Sequence, residues 1–405
     1  MLLVLTQVFL PDPASVGQHM ADVAVDMARR GHRVRVYAAN RGYEDPKRKY
    51  LPRENLHGVD VRRLPLSSFG KKRILTRLIG TVIFMLQAFL VTLLTPDLEC
   101  VFFSTSPPMI GLVASIAAAF RRVPVAYWAM DLNPDQLIVL GKIRADSLAA
   151  RVLEAVNRFI LRRASLVIAL DRFMADRLRP RAANLDGRLL VMPPWSHDEH
   201  LDPVDPATNP FRLRLDLADK FVIMYSGNHS PSNPLTTLLE AAVRLKDDPK
   251  VRFLFVGGGL GKVEVEKTIG EHGLKNALSL PYQPLADLKY SLSAADVHVV
   301  SLGDAMVGVI HPCKVYGAMH VGRPVLYFGP RPSHISDLMD ESPFGVQVKH
   351  GDVAGAVAAI ERLRDAAPAE LRRMGEVAHQ TLARSLSAAA LRDRLCDRLE
   401  KVFRL

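Results

Sequence analysis

Two open α/β domains, each a parallel sheet with helices on both faces, are predicted by three features of this 405-residue chain. β-Branched runs alternate almost throughout with segments of helical period, the pattern of strand–crossover–strand units. The length has room for two cores of ordinary size. A polar stretch over 196–219, broken by Pro203, Pro206 and Pro210, separates two halves of similar architecture and reads as a hinge linker.

The first half opens with strand 2–8 and a loop ending at Gly17. Helix 18–30 follows, its apolar face set by Met20, Val23, Ala24 and Met27. Gly31 caps it and strand 33–38 alternates. Strand 100–104, helix 109–120, strand 123–128, helix 148–163 and strand 166–170 come next, and 190–195 closes the half. The second half runs as strand 221–226, helix 235–245, strand 251–256, helix 263–272, strand 277–280, helix 286–293, strand 297–301, the element 308–322 and strand 324–328. This gives a first domain over 1–198, a second over 199–380, and a closing helix in 381–405 expected to return across the hinge. Ligands in such sheets bind beyond the carboxyl ends of the strands, and two facing sheets would make a central cleft.

Hydrophobic residues make up 49% and charged residues 23%, which excludes a disordered chain. The 53 Lys and Arg outnumber the 42 Asp and Glu, a net of +11. That excess suits a polyanionic small molecule, a membrane surface, or ordinary helix surface as at Arg29-Arg30, Arg162-Arg163 and Arg372-Arg373. Nucleic acid is not an expected partner: aromatics are 7%, not interleaved with the arginines, and no nucleic-acid motif is present. Cys100, Cys313 and Cys396 are far apart, which excludes a disulfide framework or a Cys-based zinc site and fits a reducing cytosol. Cys100 and Cys313 are both expected in the core. The opening residues 1–9 lack a basic leader and a small-residue cleavage site and read as a strand, not a signal peptide.

Residues 78–95 are uncharged and follow Lys71-Lys72-Arg73 and Arg77. As a helix the segment is roughly 27 Å long at 1.5 Å per residue, just short of a bilayer core of about 30 Å. Spanning would split a sheet whose strands need each other. The alternatives are a fully buried helix, or one lying in the lipid interface with the basic cluster on anionic head groups.

The richest stretch for chemistry is 308–330. A loop with Gly308 and Pro312 runs into a short helix carrying one inward cation, Lys314. Main-chain amides around Val309, Ile310 and His311, with that lysine, suit a phosphate or diphosphate. Gly17 and Gly227 stand at matching strand–helix junctions of the two halves, where a bare backbone lets a phosphate approach. Asn228 and His229 follow as hydrogen-bond donors. Gly257 and Gly258 form a glycine-rich turn at a strand end, though not a spaced dinucleotide fingerprint, and Tyr282 is counted in the same donor-binding set. Asp131 and Asn133 are candidates either for an acceptor hydroxyl or for a helix N-cap before Pro134, a cap being worth about 1 kcal/mol. No Asp-x-Asp occurs, so lysine and amides would have to neutralise a diphosphate and no metal is required.

Taken together, the motifs resemble those of the GT-B glycosyltransferases, retaining family 4 type, of bacterial polysaccharide synthesis. The resemblance rests on Arg30-Gly31-His32-Arg33-Val34, Asp131-Leu132-Asn133-Pro134, Tyr225-Ser226-Gly227-Asn228-His229, Val256-Gly257-Gly258-Gly259, Ala295-Asp296-Val297 and Pro312-Cys313-Lys314-Val315-Tyr316 followed by Gly322-Arg323-Pro324. It implies that the second domain binds a nucleotide diphosphate sugar, for instance a UDP-N-acetylhexosamine. The first would bind a lipid-linked or saccharide acceptor, and anomeric configuration would be retained. It places Gly17 near the donor phosphate and Asp131 on the wall facing sugar and acceptor. Two glutamates common in the family are replaced by Val309 and Gly317, and an Arg/Lys pair by Asn228 and Asn233. Lys314 is then the main cation, as in a subgroup with Pro-x-Lys-x-Tyr-Gly. The expected enzyme is cytoplasmic and peripheral on the inner face of the cell membrane, held by 71–95. The alternatives are a sugar-nucleotide 2-epimerase on the same architecture and a non-catalytic sugar-nucleotide-binding membrane scaffold.

Overall fold

The computed structural model describes residues 1–12, 14–42, 45–66, 74–197 and 202–404. The chain divides into two compact units. One comprises Met1–Pro194, Gly308–Ile310 and Ala389–Leu405; the other comprises Trp195–Val307 and His311–Ala388. The expected boundary at 198/199 and the basic residues Lys71, Lys72 and Arg73 lie outside the described residues.

In chain order the first unit contains β1 (Leu2–Leu5), α1 (Ser15–Arg29), β2 (Val34–Ala39), β3 (Arg53–Leu56), β4 (Val59–Leu64), α2 (Ile74–Leu94), β5 (Cys100–Phe103), α3 (Ile110–Arg121), β6 (Val125–Ala129), α4 (Asp135–Val139), α5 (Leu148–Arg163), β7 (Leu166–Ala169), α6 (Arg172–Leu178) and β8 (Leu189–Val191). Its sheet runs β3-β4-β2-β1-β5-β6-β7-β8, parallel except for β3. Strands β1, β5, β6 and β7 are buried along their whole length, as parallel strands covered on both faces must be.

The β3–β4 hairpin departs from the expected alternation. Its edge strand is the polar Arg53-Glu54-Asn55-Leu56, with no β-branched residue to announce it. Asp60 of β4 bonds Arg53 across the pair and also Arg35 and Arg62; burial pushes its carboxyl up, but Arg35 and Arg62 outweigh that and hold it below the usual range.

Helix α2 settles the question of segment 78–95 in an intermediate way. Phe84, Ala88 and Thr92 are fully buried, while Leu78, Val82, Leu86, Leu90 and Leu94 are exposed on the other side. Both rows step by four, so the helix has an inner and an outer apolar face. Among the described residues no helix is long and apolar enough to cross a membrane.

The second unit contains α7 (Pro210–Arg214), β9 (Phe221–Asn228), α8 (Thr236–Arg244), β10 (Val251–Gly258), α9 (Lys262–Glu271), β11 (Ala277–Leu280), α10 (Leu288–Ser293), β12 (Val297–Ser301), α11 (Lys314–His320), β13 (Val325–Phe328), α12 (His334–Glu341), β14 (Gly345–Val348), α13 (Val353–Asp365) and α14 (Pro368–Ser385). The sheet is fully parallel, in the order β11-β10-β9-β12-β13-β14. Tyr225, Phe253, Phe255, Val299 and Phe328 form the middle of its core.

The stretch expected to be a plain linker is partly built into this unit. Asn209 caps α7, Phe211 is buried, and the Arg212 guanidinium bonds Asp296 and the carbonyls of Ala294, Leu217 and Lys220. Asp296 also accepts from the Val222 amide at 2.7 Å, so the Ala295-Asp296-Val297 motif is a brace for β9 and β12.

The last helix, α15 (Ala388–Phe403), belongs to the first unit from Ala389 onward. Arg30 bonds Asp393, Asp397 and Glu400 there, and His32 bonds Glu400 at 2.7 Å. The Arg30-Gly31-His32 motif therefore anchors the C-terminal helix. Cys100 and Cys396 are buried as small apolar residues are, but Cys313 is exposed, contrary to expectation. It occupies the N-cap of α11, where the inner face is taken by Val315 and Tyr316.

Candidate functional site

In the second unit the candidates gather beyond the carboxyl ends of β9, β10 and β12, where the strand order reverses and ligands of such sheets bind. Lys314 is the first residue of α11. Its ammonium lies 5.2 Å from the centre of the Tyr225 ring and donates a long bond, 3.4 Å, to the side-chain oxygen of Asn233. Asn233 is fixed from its other side by donating to the Ser301 carbonyl at 2.6 Å. Among the described residues Lys314 has no carboxylate partner. Burial without a counter-charge lowers its pKa from 10.5 to about 8.

Gly227 makes room for that side chain. A Cβ there would stand 2.6 Å from Lys314 Cε, and its φ of +128° is strained for any other residue. Gly257 pairs in register with Gly227, and Gly258 with Asn228, so both glycine motifs meet at one strand end. Tyr282 is exposed and directs its hydroxyl at the Gly258 carbonyl, 3.5 Å away.

His229 is buried, its amide bonded to the Gly258 carbonyl at 2.7 Å and its carbonyl to the Gly261 amide at 2.8 Å. The ring stands edge-on to Tyr225. Burial pushes its pKa down, against the carbonyls of Gly258 and Gly227 and with help from Lys262 and Lys314. A hollow of about 350 Å³ adjoins it, bordered by Asn233, Thr236, Leu260 and Glu264.

Lys262 escaped the sequence reading. Its ammonium donates to the carbonyls of Gly257 and Leu280, both at 2.9 Å, and ties the ends of β10 and β11 together. The available signal was its position, directly after Gly257-Gly258-Gly259-Leu260-Gly261.

His311 was expected as an amide donor, but its side chain is committed elsewhere. Its Nε2 lies 2.6 Å from the Tyr316 hydroxyl, which lies 3.1 Å from His334 Nε2. This chain supports α11 from below and explains why Tyr316 follows Lys314 by two.

The rest of the expected phosphate loop divides. Gly308–Ile310 belongs to the first unit, where the Val309 carbonyl accepts from the Leu132 amide at 2.9 Å and Val309 itself is buried. Gly308 there sits against the backbone of Phe173. Gly17 is also spoken for: a Cβ would press on the Val8–Phe9 backbone at 3.1 Å, so the bare position lets the loop after β1 close onto α1.

Asp131 and Asn133, also in the first unit, follow β6 and line one small recess. Neither caps α4, which starts at Asp135 with Pro134 as its N-cap and no side-chain cap bond. Asp135 is held by Arg181 at 2.7 Å and by Arg177 at 3.6 Å. Asp131 has no such partner among the described residues, and burial raises its pKa from 3.8 to about 6. Ser104 and Asn157, neither anticipated, line the same recess.

Comparison with known proteins follows this division. Residues 15–195 match the model of the "Glycosyl transferase 4-like domain" and residues 220–366 that of "Glycosyl transferases group 1". WcaI of Escherichia coli strain K12, named for colanic acid biosynthesis, is 25% identical over 375 residues, covering 87% of this chain and 89% of its own. The sucrose-phosphate synthase of Thermosynechococcus elongatus matches over 100% of this chain and 99% of its own, with a TM-score of 0.77 at 17% identity. HepE of Anabaena, solved with UDP-glucose, matches over 99% of both chains with a TM-score of 0.73 at 17% identity. At such identity the two structures bear on fold alone. The two domain models together span most of the chain, on two parallel α/β sheets, and the protein belongs to the GT-B glycosyltransferases of the family 4 type.

Proposed function

We propose that this glycosyltransferase moves a sugar from a UDP-sugar, a UDP-N-acetylhexosamine being one candidate, to a saccharide or lipid-linked acceptor in cell-surface polysaccharide synthesis. The observation that carries the reading is Lys314: an ammonium taken partly out of water with only an amide oxygen and an aromatic face for company. Such a group is poised for an anion, and a diphosphate supplies one. The UDP-glucose bound by HepE and the colanic acid assignment of WcaI support the choices of donor and pathway.

In this mechanism the bond from the anomeric carbon to the diphosphate oxygen breaks as Lys314 and main-chain donors near Gly227 meet the growing charge. The acceptor hydroxyl attacks from the face the leaving group vacates, which retains configuration, and its proton passes to a phosphate oxygen. Asp131 orients that hydroxyl. Lysine and amides do the neutralising, so the reaction proceeds without a divalent metal.

The outer stripe of α2, following Lys71-Lys72-Arg73 in sequence, supports peripheral attachment to an anionic membrane face in the cytoplasm. Binding to anionic vesicles then falls with salt and with neutralisation of those three residues. Indifference to both would remove the interfacial role.

The test is incubation of the purified protein with labelled UDP-sugars and a membrane extract. Label entering a saccharide or lipid fraction supports transfer. Label that only changes sugar identity supports epimerisation, and binding with no turnover supports a scaffold.

A further inference from the structure

The recess at Asp131 lies within the first unit, beyond the carboxyl ends of β5 and β6. It holds about 30 Å³, room for one or two oxygen-sized atoms. Four observations converge on it. The Asn157 side chain comes from the otherwise apolar inner row of α5, and the residue is only 6% exposed, yet its Nδ2 has no partner among the described residues. Ser104, just after β5 and beside the point where the strand order reverses, is 1% exposed and its Oγ is also unpartnered among the described residues. Asp131 faces the recess without a counter-charge. Met109, at the rim, holds a left-handed φ of 74° that a non-glycine residue rarely adopts, and it opens α3 without a side-chain cap.

Donors left unpaired in a buried site keep the full cost of leaving water. An apolar residue at 157 would avoid that penalty, so the amide is there for something that enters. The entering group must give a proton to a carboxylate and accept one from an amide N–H. A hydroxyl does both. A phosphate or carboxylate does not, because it would meet Asp131 charge to charge, and an alkyl chain would leave all three polar groups unsatisfied.

We propose that this recess is a specificity pocket for one hydroxyl-bearing arm of a saccharide acceptor, with Asn157 Nδ2–H donating to the hydroxyl oxygen, the hydroxyl donating to Asp131, and Ser104 completing the set. The inference rests on the transferase reading above and narrows the acceptor: the arm seated beside Asp131 carries a free hydroxyl and is neither charged nor purely alkyl. Asn157 and Ser104 thereby read a sugar position and take no part in holding the donor.

The experiment compares the whole protein with its Asn157→Leu and Ser104→Ala variants. The probes are methyl glycosides and their monodeoxy analogues as acceptors, with UDP-sugar as donor. In the unaltered protein, loss of one particular hydroxyl lowers acceptor kcat/KM at least tenfold. In Asn157→Leu that difference shrinks to about twofold or less, while hydrolysis of the donor by water and the donor KM stay unchanged. Ser104→Ala, which removes one oxygen and no volume of consequence, shifts the ratio the same way and stands in if Asn157→Leu fails to fold. Equal use of all deoxy analogues by the unaltered protein, or full discrimination persisting in both variants, would mean that the recess holds only water and would overturn the pocket. Absence of any donor turnover in the unaltered protein would instead overturn the transferase reading beneath it.

Discussion

The Lys314 region of the second unit and the Asp131 recess of the first are mirror images in charge. One presents a cation without an anion, the other a carboxylate without a cation. Elsewhere each unit pairs its charges: Asp135 is clasped by Arg181, and Asp296 by Arg212. Paired groups like these hold elements in place. The two others meet no opposite charge among the described residues, so little of their desolvation cost is returned within the fold, a mark of groups kept for a ligand. The difference between the regions is equally instructive. Lys314 is surrounded by soft partners, an aromatic face and an amide oxygen that yield to an incoming anion. Asp131 shares a tight recess with rigid neighbours, which suits a small neutral group.

The largest break in this comparison is Lys314→Ala. Turnover with a UDP-sugar falls by about two orders of magnitude or more, because the contact strengthens as charge develops on the leaving diphosphate. Near-normal turnover in a steady-state assay would remove Lys314 from the mechanism.

Next comes Asp131→Asn, with an expected loss of roughly 10- to 100-fold in acceptor kcat/KM and an unchanged donor KM, the value of one hydrogen bond to a charged group. The same change should raise Tm at neutral pH, since it deletes an uncompensated charge. A fall in Tm would show that Asp131 has a structural partner.

The third test separates the regions by pH. Lys314 must be protonated to attract a diphosphate, so donor binding weakens as pH rises through about 8. Asp131 must be ionised to accept from a hydroxyl, so acceptor use weakens as pH falls through about 6. Their stability effects run in opposite directions as well. Lys314 has a depressed folded pKa, so stability rises between about 8 and 10.5, where the unfolded chain holds the proton more tightly. Asp131 has a raised one, so stability falls as pH climbs from about 3.8 to about 6. Titrating donor affinity and acceptor KM separately in Lys314→Met and Asp131→Asn checks the assignment.

The smallest effect is Gly227→Ala. The added methyl collides with Lys314 Cε in a backbone conformation alanine dislikes, so stability drops by about 1 kcal/mol. Donor affinity falls several-fold as the ammonium is displaced. Unaltered affinity by calorimetry would mean that Lys314 reaches its ligand from another rotamer.

Much of the architecture was legible because parallel strands buried on both faces announce themselves as unbroken apolar runs. Helix 148–163 and strands 277–280 and 297–301 were placed to the residue. The β3–β4 hairpin was not, because its edge strand is polar and held by Asp60. Lys314, Gly227 and the glycine turn stand out through junction chemistry, a local property, and the fold brings them to one strand end. Asn157 and Ser104 were missed because each is an unremarkable polar residue in sequence; only burial without a partner marks them.

The order of hydrophobic and breaker residues by itself determined two α/β halves, the strand–helix junctions and one lysine at the start of a short helix, since all of these depend on near neighbours along the chain. Tertiary structure alone decided that Gly308–Ile310 sits with Leu132 and Phe173, that Arg30 and His32 clamp the final helix, that Cys313 faces water, and which charges go unpaired. Those facts depend on which groups the fold brings within bonding distance across large separations in sequence, and on how much water it leaves them.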